Sequence, residues 1–198
     1  MTTIVLASRS ATRCALLTNA GIPFTAVPSS IDERTVETPL IASGALPADI
    51  ASALAEAKAV DVSGRTPGAF VIGADQTLDV DGVHWTKPVS MGQAREQLAR
   101  LSGRPHELHS AVAVAVDGVV VWHHRASARL TMRALSATVI DAFLSEAGEA
   151  ALSSVGAYQI EGPGIRLFER IDGDYFTILG LPLLPLLMYL RGEGAIPW

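Results

Sequence analysis

Several things are scarce in this chain of 198 residues, and each scarcity excludes something. There is one cysteine, Cys14, so no intrachain disulfide can form and a reducing, cytoplasmic setting is expected. Charged residues make up only 18% against 49% hydrophobic ones, which is material for a core and too little charge for disorder. Uninterrupted apolar runs are short. The longest, residues 178–190, is broken by Gly180, Pro182 and Pro185, so no membrane span is expected. The opening Met-Thr-Thr-Ile-Val-Leu-Ala lacks a basic region and a long apolar region, so a signal peptide is not expected. A net charge of -5 argues against a general nucleic-acid binder. An anionic ligand would need a local cluster of cations. Of 15 basic residues only Lys58 and Lys87 are lysine. Chance survival of two surface lysines and a role for both remain open at this point.

Motifs of several enzyme classes are also missing. There is no GxxxxGK[ST] loop and no GxSxG elbow, and Cys14 has no evident histidine partner. His106 and His109 fall on opposite faces of a strand, as do His123 and His124. With no Cys/His cluster, zinc is not expected.

What is present alternates strands and helices. Strands are expected at 4–7, 24–27, 69–74, 107–116, 119–130, 165–171 and 175–179. Helices are expected at 11–19 behind a Ser10 cap, from Pro47 to about Val60, at 91–101, from Ser136 to about Ala147, and at 181–190. On the second helix Ile50, Ala53, Leu54 and Ala57 form the predicted inward face. Residues 29–45 read as a polar loop. Asp81-Gly82 and Asp117-Gly118 read as hairpin turns. Crossover units mixed with hairpins imply an α/β fold with a mixed β-sheet and flanking helices, in a single domain over 1–198 or one domain with two lobes.

Candidate chemistry sits at the ends of these elements. In "LASRSATRCALL" (6–17) a strand passes through Ser8 and Ser10 into a helix N-terminus, where hydroxyls and free amides favour an anion. Arg13 lies in that first turn, where the helix dipole disfavours a cation, and on the inward stripe with Leu16 and Leu17. A bound anion would explain it, and so would a structural carboxylate such as Asp32 or Glu33. "FVIGADQTLDV" (70–80) is an apolar strand that delivers Asp75 at its end. A plain exit to solvent and a site both fit. Asp75 and Glu33, from separate strand ends, could hold Mg²⁺ with help from water. Lys58 borders an apolar helix face, as a snorkelling lysine also would. Lys87, held extended by Pro88, is either an exposed loop cation or a ligand. "GAYQIEGPGI" (156–165) places Gln159 and Glu161 in a glycine-bounded loop that suits close backbone approach or an ordinary connection.

"LASRSATR", "IDE", "AEAKA", "VIGADQ", "TKP" and "GAYQIEGPGI…GLPL" occur in this order, and together they resemble the Maf family of nucleoside triphosphate pyrophosphatases across nearly the whole chain. The resemblance implies an inosine triphosphatase-like fold, in two lobes around a central cleft. It implies hydrolysis of a nucleoside triphosphate between the α and β phosphates, a divalent cation (Mg²⁺ or Mn²⁺), a cytoplasmic location and a homodimer. It gives Asp75 the role of general base and Glu33 that of a second acid near metal and water, making both candidate metal ligands. Lys87 joins them as catalytic, and Ser8, Arg13 and Lys58 contact the phosphates. The family's first motif usually reads Ser-Pro-Arg-Arg, where this chain has Ser10-Ala11-Thr12-Arg13. Gln76 and Glu161 resemble the branch acting on 7-methyl-GTP, whereas "GAY" resembles the branch acting on dTTP and UTP and Thr12 matches neither. The substrate expectation is therefore a generic pyrophosphatase with a lean to methylated or modified guanine nucleotides. A nucleotide-binding regulator of cell division without turnover is the rival class.

Overall fold

A computed structural model describes residues 2–198. In chain order the elements are β1 (Ile4–Leu6), α1 (Ala11–Asn19), β2 (Thr25–Ala26), α2 (Glu33–Ala42), α3 (Pro47–Ser63), β3 (Phe70–Val80), β4 (Val83–Trp85), α4 (Met91–Leu101), β5 (Pro105–Val116), β6 (Val119–Met132), α5 (Ala137–Ala147), β7 (Phe168–Asp172), α6 (Tyr175–Ile178) and α7 (Leu183–Gly192). The sheet order is β2-β1-β3-β5-β6-β7, with β4 paired to β3. β1 runs parallel to β2 and β3, whereas the β3–β4 and β6–β7 pairs are antiparallel. The expected α/β fold with a mixed sheet and flanking helices is therefore observed.

The residues form two compact units. One comprises the chain up to Gln76, His109–Ser127 and Asp174–Trp198; the other comprises Thr77–Leu108 and Ala128–Gly173. In the first, alternation along β5 separates two layers. Val112 and Val114 join Leu6, Leu17, Ile72, Leu186 and Leu190 in one cluster. Ala111, Ala113 and Ala115 face Ala51, Ala55 and Ala59 of α3 in another. Alanines on both sides let the helix lie close to the sheet. At Gly73 the approach is closest, since a Cβ there would stand 2.1 Å from the Ala55 carbonyl oxygen and 2.6 Å from the Ala59 nitrogen. In the second unit Leu98, Leu101, Leu130, Met132 and Leu167 are fully buried.

Five expectations are corrected. Residues 33–42, expected within a loop, form α2, because the Asp32 side chain accepts from the Arg34 amide and starts a helix that packs on α3. The strand expected at 69–74 continues to Val80, since β4 pairs with its second half, so Asp75 lies within a strand and not at its end. Residues 163–167 are a 3-10 helix before β7, and the returning strand expected at 175–179 is the helical turn α6. There Asp174 accepts from both the amide and the hydroxyl of Thr177, a cap that turn-formers alone did not announce. On α3 the buried face keeps the expected Ile50 and Leu54 and adds Ala51, Ala55, Lys58, Ala59 and Val62, with Ala53 and Ala57 only half-buried.

Candidate active site

The close packing of α3 on β3 decides the chemistry. Lys58 follows Ala55 by one helical turn on the buried face, and Asp75 follows Gly73 by two on the strand, so both point to one place. Lys58 Nζ donates to Asp75 Oδ1 at 2.5 Å, and the two side chains are 10% and 11% exposed. The same nitrogen lies 2.7 Å from Oε1 of Glu33, the first residue of α2. A buried ammonium thus bridges two carboxylates drawn from different elements. It is not the snorkelling lysine that its place beside an apolar face also allowed.

Glu37, one helical turn after Glu33, belongs to the same electrostatic group. Burial raises its carboxyl above the usual range, Asp75 and Glu33 raise it further, and Lys58 and Arg34 oppose them. Sequence reading missed Glu37. The signal, a carboxylate four residues after Glu33, has meaning only once the segment is known to be a helix.

Arg13 and Ser8 form the adjoining part. Ser10 caps α1, accepting from the Arg13 amide. The Arg13 guanidinium is held by backbone oxygens rather than by a carboxylate: Nε donates to Gly180 O at 2.8 Å and Nη1 to Ala74 O at 2.9 Å. Nη1 also approaches Ser8 Oγ at 3.5 Å, and Ser8 Oγ accepts from the Ser10 amide at 3.1 Å. Burial lowers the guanidinium pKa, while Asp75 and then Glu33 act to raise it. Among the described residues Nη2 makes no hydrogen bond, so donor capacity remains for an anion.

Gln76 has its amide nitrogen 2.9 Å from Ser110 Oγ, 3.1 Å from Thr177 O and 2.9 Å from Ile178 O. Thr12 is half-buried on α1. The remaining expected residues lie in the second unit. Lys87 is exposed between β4 and α4, and Glu161 is exposed in the loop before the 3-10 helix. That unit also holds a buried His106, whose Nε2 is 2.7 Å from Tyr158 Oη and whose ring lies beside Tyr158 and Phe168. Burial lowers His106 to about 4 and pushes Tyr158 well above its usual value.

The donor set suits a hard divalent cation. Glu33 and Asp75 already converge on one positive charge, the Lys58 ammonium, and both offer oxygen. Among the described residues no three His, Cys, Asp or Glu side chains form a complete metal cage. Two carboxylates with the rest from water and phosphate is the arrangement Mg²⁺ favours.

Fold and site together define an α/β protein with an acidic pair, a buried lysine and an arginine gathered at one sheet region, a set suited to a phosphate ester or anhydride. The family model described as Maf-like protein matches residues 3–193, and the chain belongs to that family. It is 58% identical over 193 residues to the 7-methyl-GTP pyrophosphatase of Brucella abortus biovar 1 (strain 9-941), covering 98% of this chain and 97% of that protein. It is 56% identical over 194 residues to the nucleoside triphosphate pyrophosphatase of Rhodopseudomonas palustris (strain BisB18), covering 98% and 95%. Among solved structures a HAM1 protein from Coxiella burnetii aligns over 67% of this chain and 73% of its own, with 18% identity and a TM-score of 0.46.

Proposed function

We propose that this chain hydrolyses nucleoside triphosphates to the monophosphate and pyrophosphate, with Asp75 accepting the proton of the attacking water. The observation that carries the reading is the Lys58 bridge between Asp75 and Glu33, in a chain whose relatives bear pyrophosphatase names. Asp75 Oδ1 is engaged by Lys58, and among the described residues Oδ2 makes no hydrogen bond, so it is available to water. Water attacks the α-phosphorus, its proton passes to Asp75, and the bond from that phosphorus to the bridging oxygen breaks to release pyrophosphate. Arg13 and Ser8 hold phosphate oxygens, and Lys58 neutralises charge as it develops. Lys87, exposed in the second unit, keeps the catalytic role that the family resemblance implies for it. Glu33 and Asp75 would hold a divalent ion, which when bound supplies charge neutralisation of the phosphates.

The base preference leans to 7-methylguanine nucleotides, the substrate named for the Brucella relative. The reading also includes a cytoplasmic homodimer; among the described residues no helix is long and apolar enough to cross a membrane. The test is pyrophosphate release from a panel of canonical and methylated nucleoside triphosphates with Mg²⁺ or Mn²⁺. Asp75→Asn is expected to lower turnover by about 10²-fold or more while nucleotide still binds, the size of a lost general base. Orthophosphate as the product, or no release from any nucleotide, would sink the proposal.

A further inference from the structure

Gln76 follows Asp75 along β3, and its amide is committed inside the protein. Its three neighbours are Ser110 Oγ, Thr177 O and Ile178 O. Carbonyl oxygens only accept, and Ser110 spends its single proton on Thr177 O at 2.7 Å, so the two amide protons of Gln76 donate toward these three oxygens, one proton being shared between two of them. Chemistry therefore fixes the amide's orientation, with the nitrogen toward this group.

The two carbonyl acceptors belong to the end of α6, a helix of four residues, Tyr175–Ile178, and Ser110 lies on β5. One turn makes too few internal hydrogen bonds to persist alone. Asp174 caps its start and Gln76 with Ser110 holds its end. Two residues further on, Gly180 turns back at φ +86, and its carbonyl accepts from Arg13 Nε at 2.8 Å. A side chain there would meet Arg13 Nη2 at 3.2 Å, so glycine lets the guanidinium lie against the turn. Ala74 O, two residues before Gln76, grips the same guanidinium through Nη1. Arg13 is thus held between the backbone of β3 and a turn that is itself tied to β3 by Gln76.

We infer that Gln76 is a positioning residue for Arg13: it fixes the Thr177–Gly180 turn, whose last carbonyl clamps the guanidinium, and so shapes the phosphate site without touching the nucleotide. The inference rests on the reading of Arg13 as a phosphate ligand. It assigns Gln76 to affinity for the triphosphate common to all substrates, and removes it from the choice of base that the family resemblance implied for this position.

A double-mutant cycle tests it, with kinetics of pyrophosphate release from GTP, 7-methyl-GTP and UTP. Gln76→Met keeps the length and removes the donors. It is expected to raise KM about tenfold, by the same factor for all three nucleotides, with kcat changed less than about threefold. Arg13→Ala should raise KM as much or more, and adding Gln76→Met to it should cost less than about twofold further. Ser110→Ala, which leaves Gln76 in place, gives a milder version of the same cycle if Gln76→Met does not fold, with KM up about threefold for each nucleotide. A KM factor that differs tenfold between nucleotides would make Gln76 a reader of the base and overturn the inference. So would independent, multiplying effects of Gln76→Met and Arg13→Ala while Arg13→Ala alone raises KM. An unchanged KM in Arg13→Ala alone would overturn the phosphate reading and the inference with it.

Discussion

Lys58 is the residue through which the site is best understood. Its single positive charge lies between Asp75 and Glu33 and offsets the repulsion of these two carboxylates at short range. A divalent cation entering between them competes with that ammonium. Lys58→Met removes the competitor and leaves the acidic pair, with Glu37 adding to the negative potential. It is therefore expected to bind Mn²⁺ about tenfold tighter than the unsubstituted protein when no nucleotide is present, measured by calorimetry, while turnover falls. Unchanged or weaker Mn²⁺ binding would show that the two carboxylates do not form the cation site. Sequence paired Glu33 with Asp75 as candidate metal ligands and gave Lys58 to the phosphates. It could not show that one nitrogen serves both acids.

At the scale of elements, the contact that matters is α3 on β3. Gly73 permits it, because a methyl group there would overlap backbone atoms of Ala55 and Ala59 that have no freedom to move aside. Gly73→Ala is expected to destabilise by on the order of 3 kcal/mol, the upper part of the overpacking range. That lowers Tm by roughly 10 °C for a chain of this size. It should also cost turnover at temperatures where the variant is still folded, because Lys58 and Asp75 sit on the two elements being forced apart. Thermal unfolding and activity at low temperature check both parts; a variant as stable as the parent would refute the packing argument. α2 teaches a different lesson. Pro39 and the surrounding polar residues resembled a loop, yet a cap by Asp32 and packing on α3 suffice for ten residues of helix. Propensity is a weak prior against such contacts.

For the molecule as a whole, His106 sets an acid limit. It is 3% exposed, its Nδ1 has no hydrogen-bond partner among the described residues, and burial lowers it from an ordinary value of 6.5 to about 4. The folded state thus keeps His106 neutral where the unfolded chain already takes a proton. Its stabilising contribution is complete above pH 6.5 and is lost as pH falls toward 4, amounting to about 3 kcal/mol from this group. Urea unfolding at pH 7 and pH 4.5 measures the loss. In the double variant His106→Leu, Tyr158→Phe, which removes both polar groups, that part of the pH dependence should disappear; an unchanged slope would assign the acid sensitivity to other groups.

Sequence by itself determined the class of fold, since strand and helix periodicities depend on local spacing. It also determined the family and most of the candidate site, because the ordered motifs around Ser8, Glu33, Lys58 and Asp75 survive as short strings. Its failures fell where local signals compete with distant ones: α2 read as loop, α6 read as strand, and β3 ended six residues early because its partner β4 lies beyond a turn. Only the tertiary structure decided how the residues serve one another. It set Lys58 between two acids, gave Arg13 to the carbonyls of Ala74 and Gly180 rather than to a carboxylate, and turned Gln76 inward to α6. The reason is physical. Hydrogen bonds and ion pairs act over a few ångströms, and those distances are set by packing between elements that are far apart along the chain.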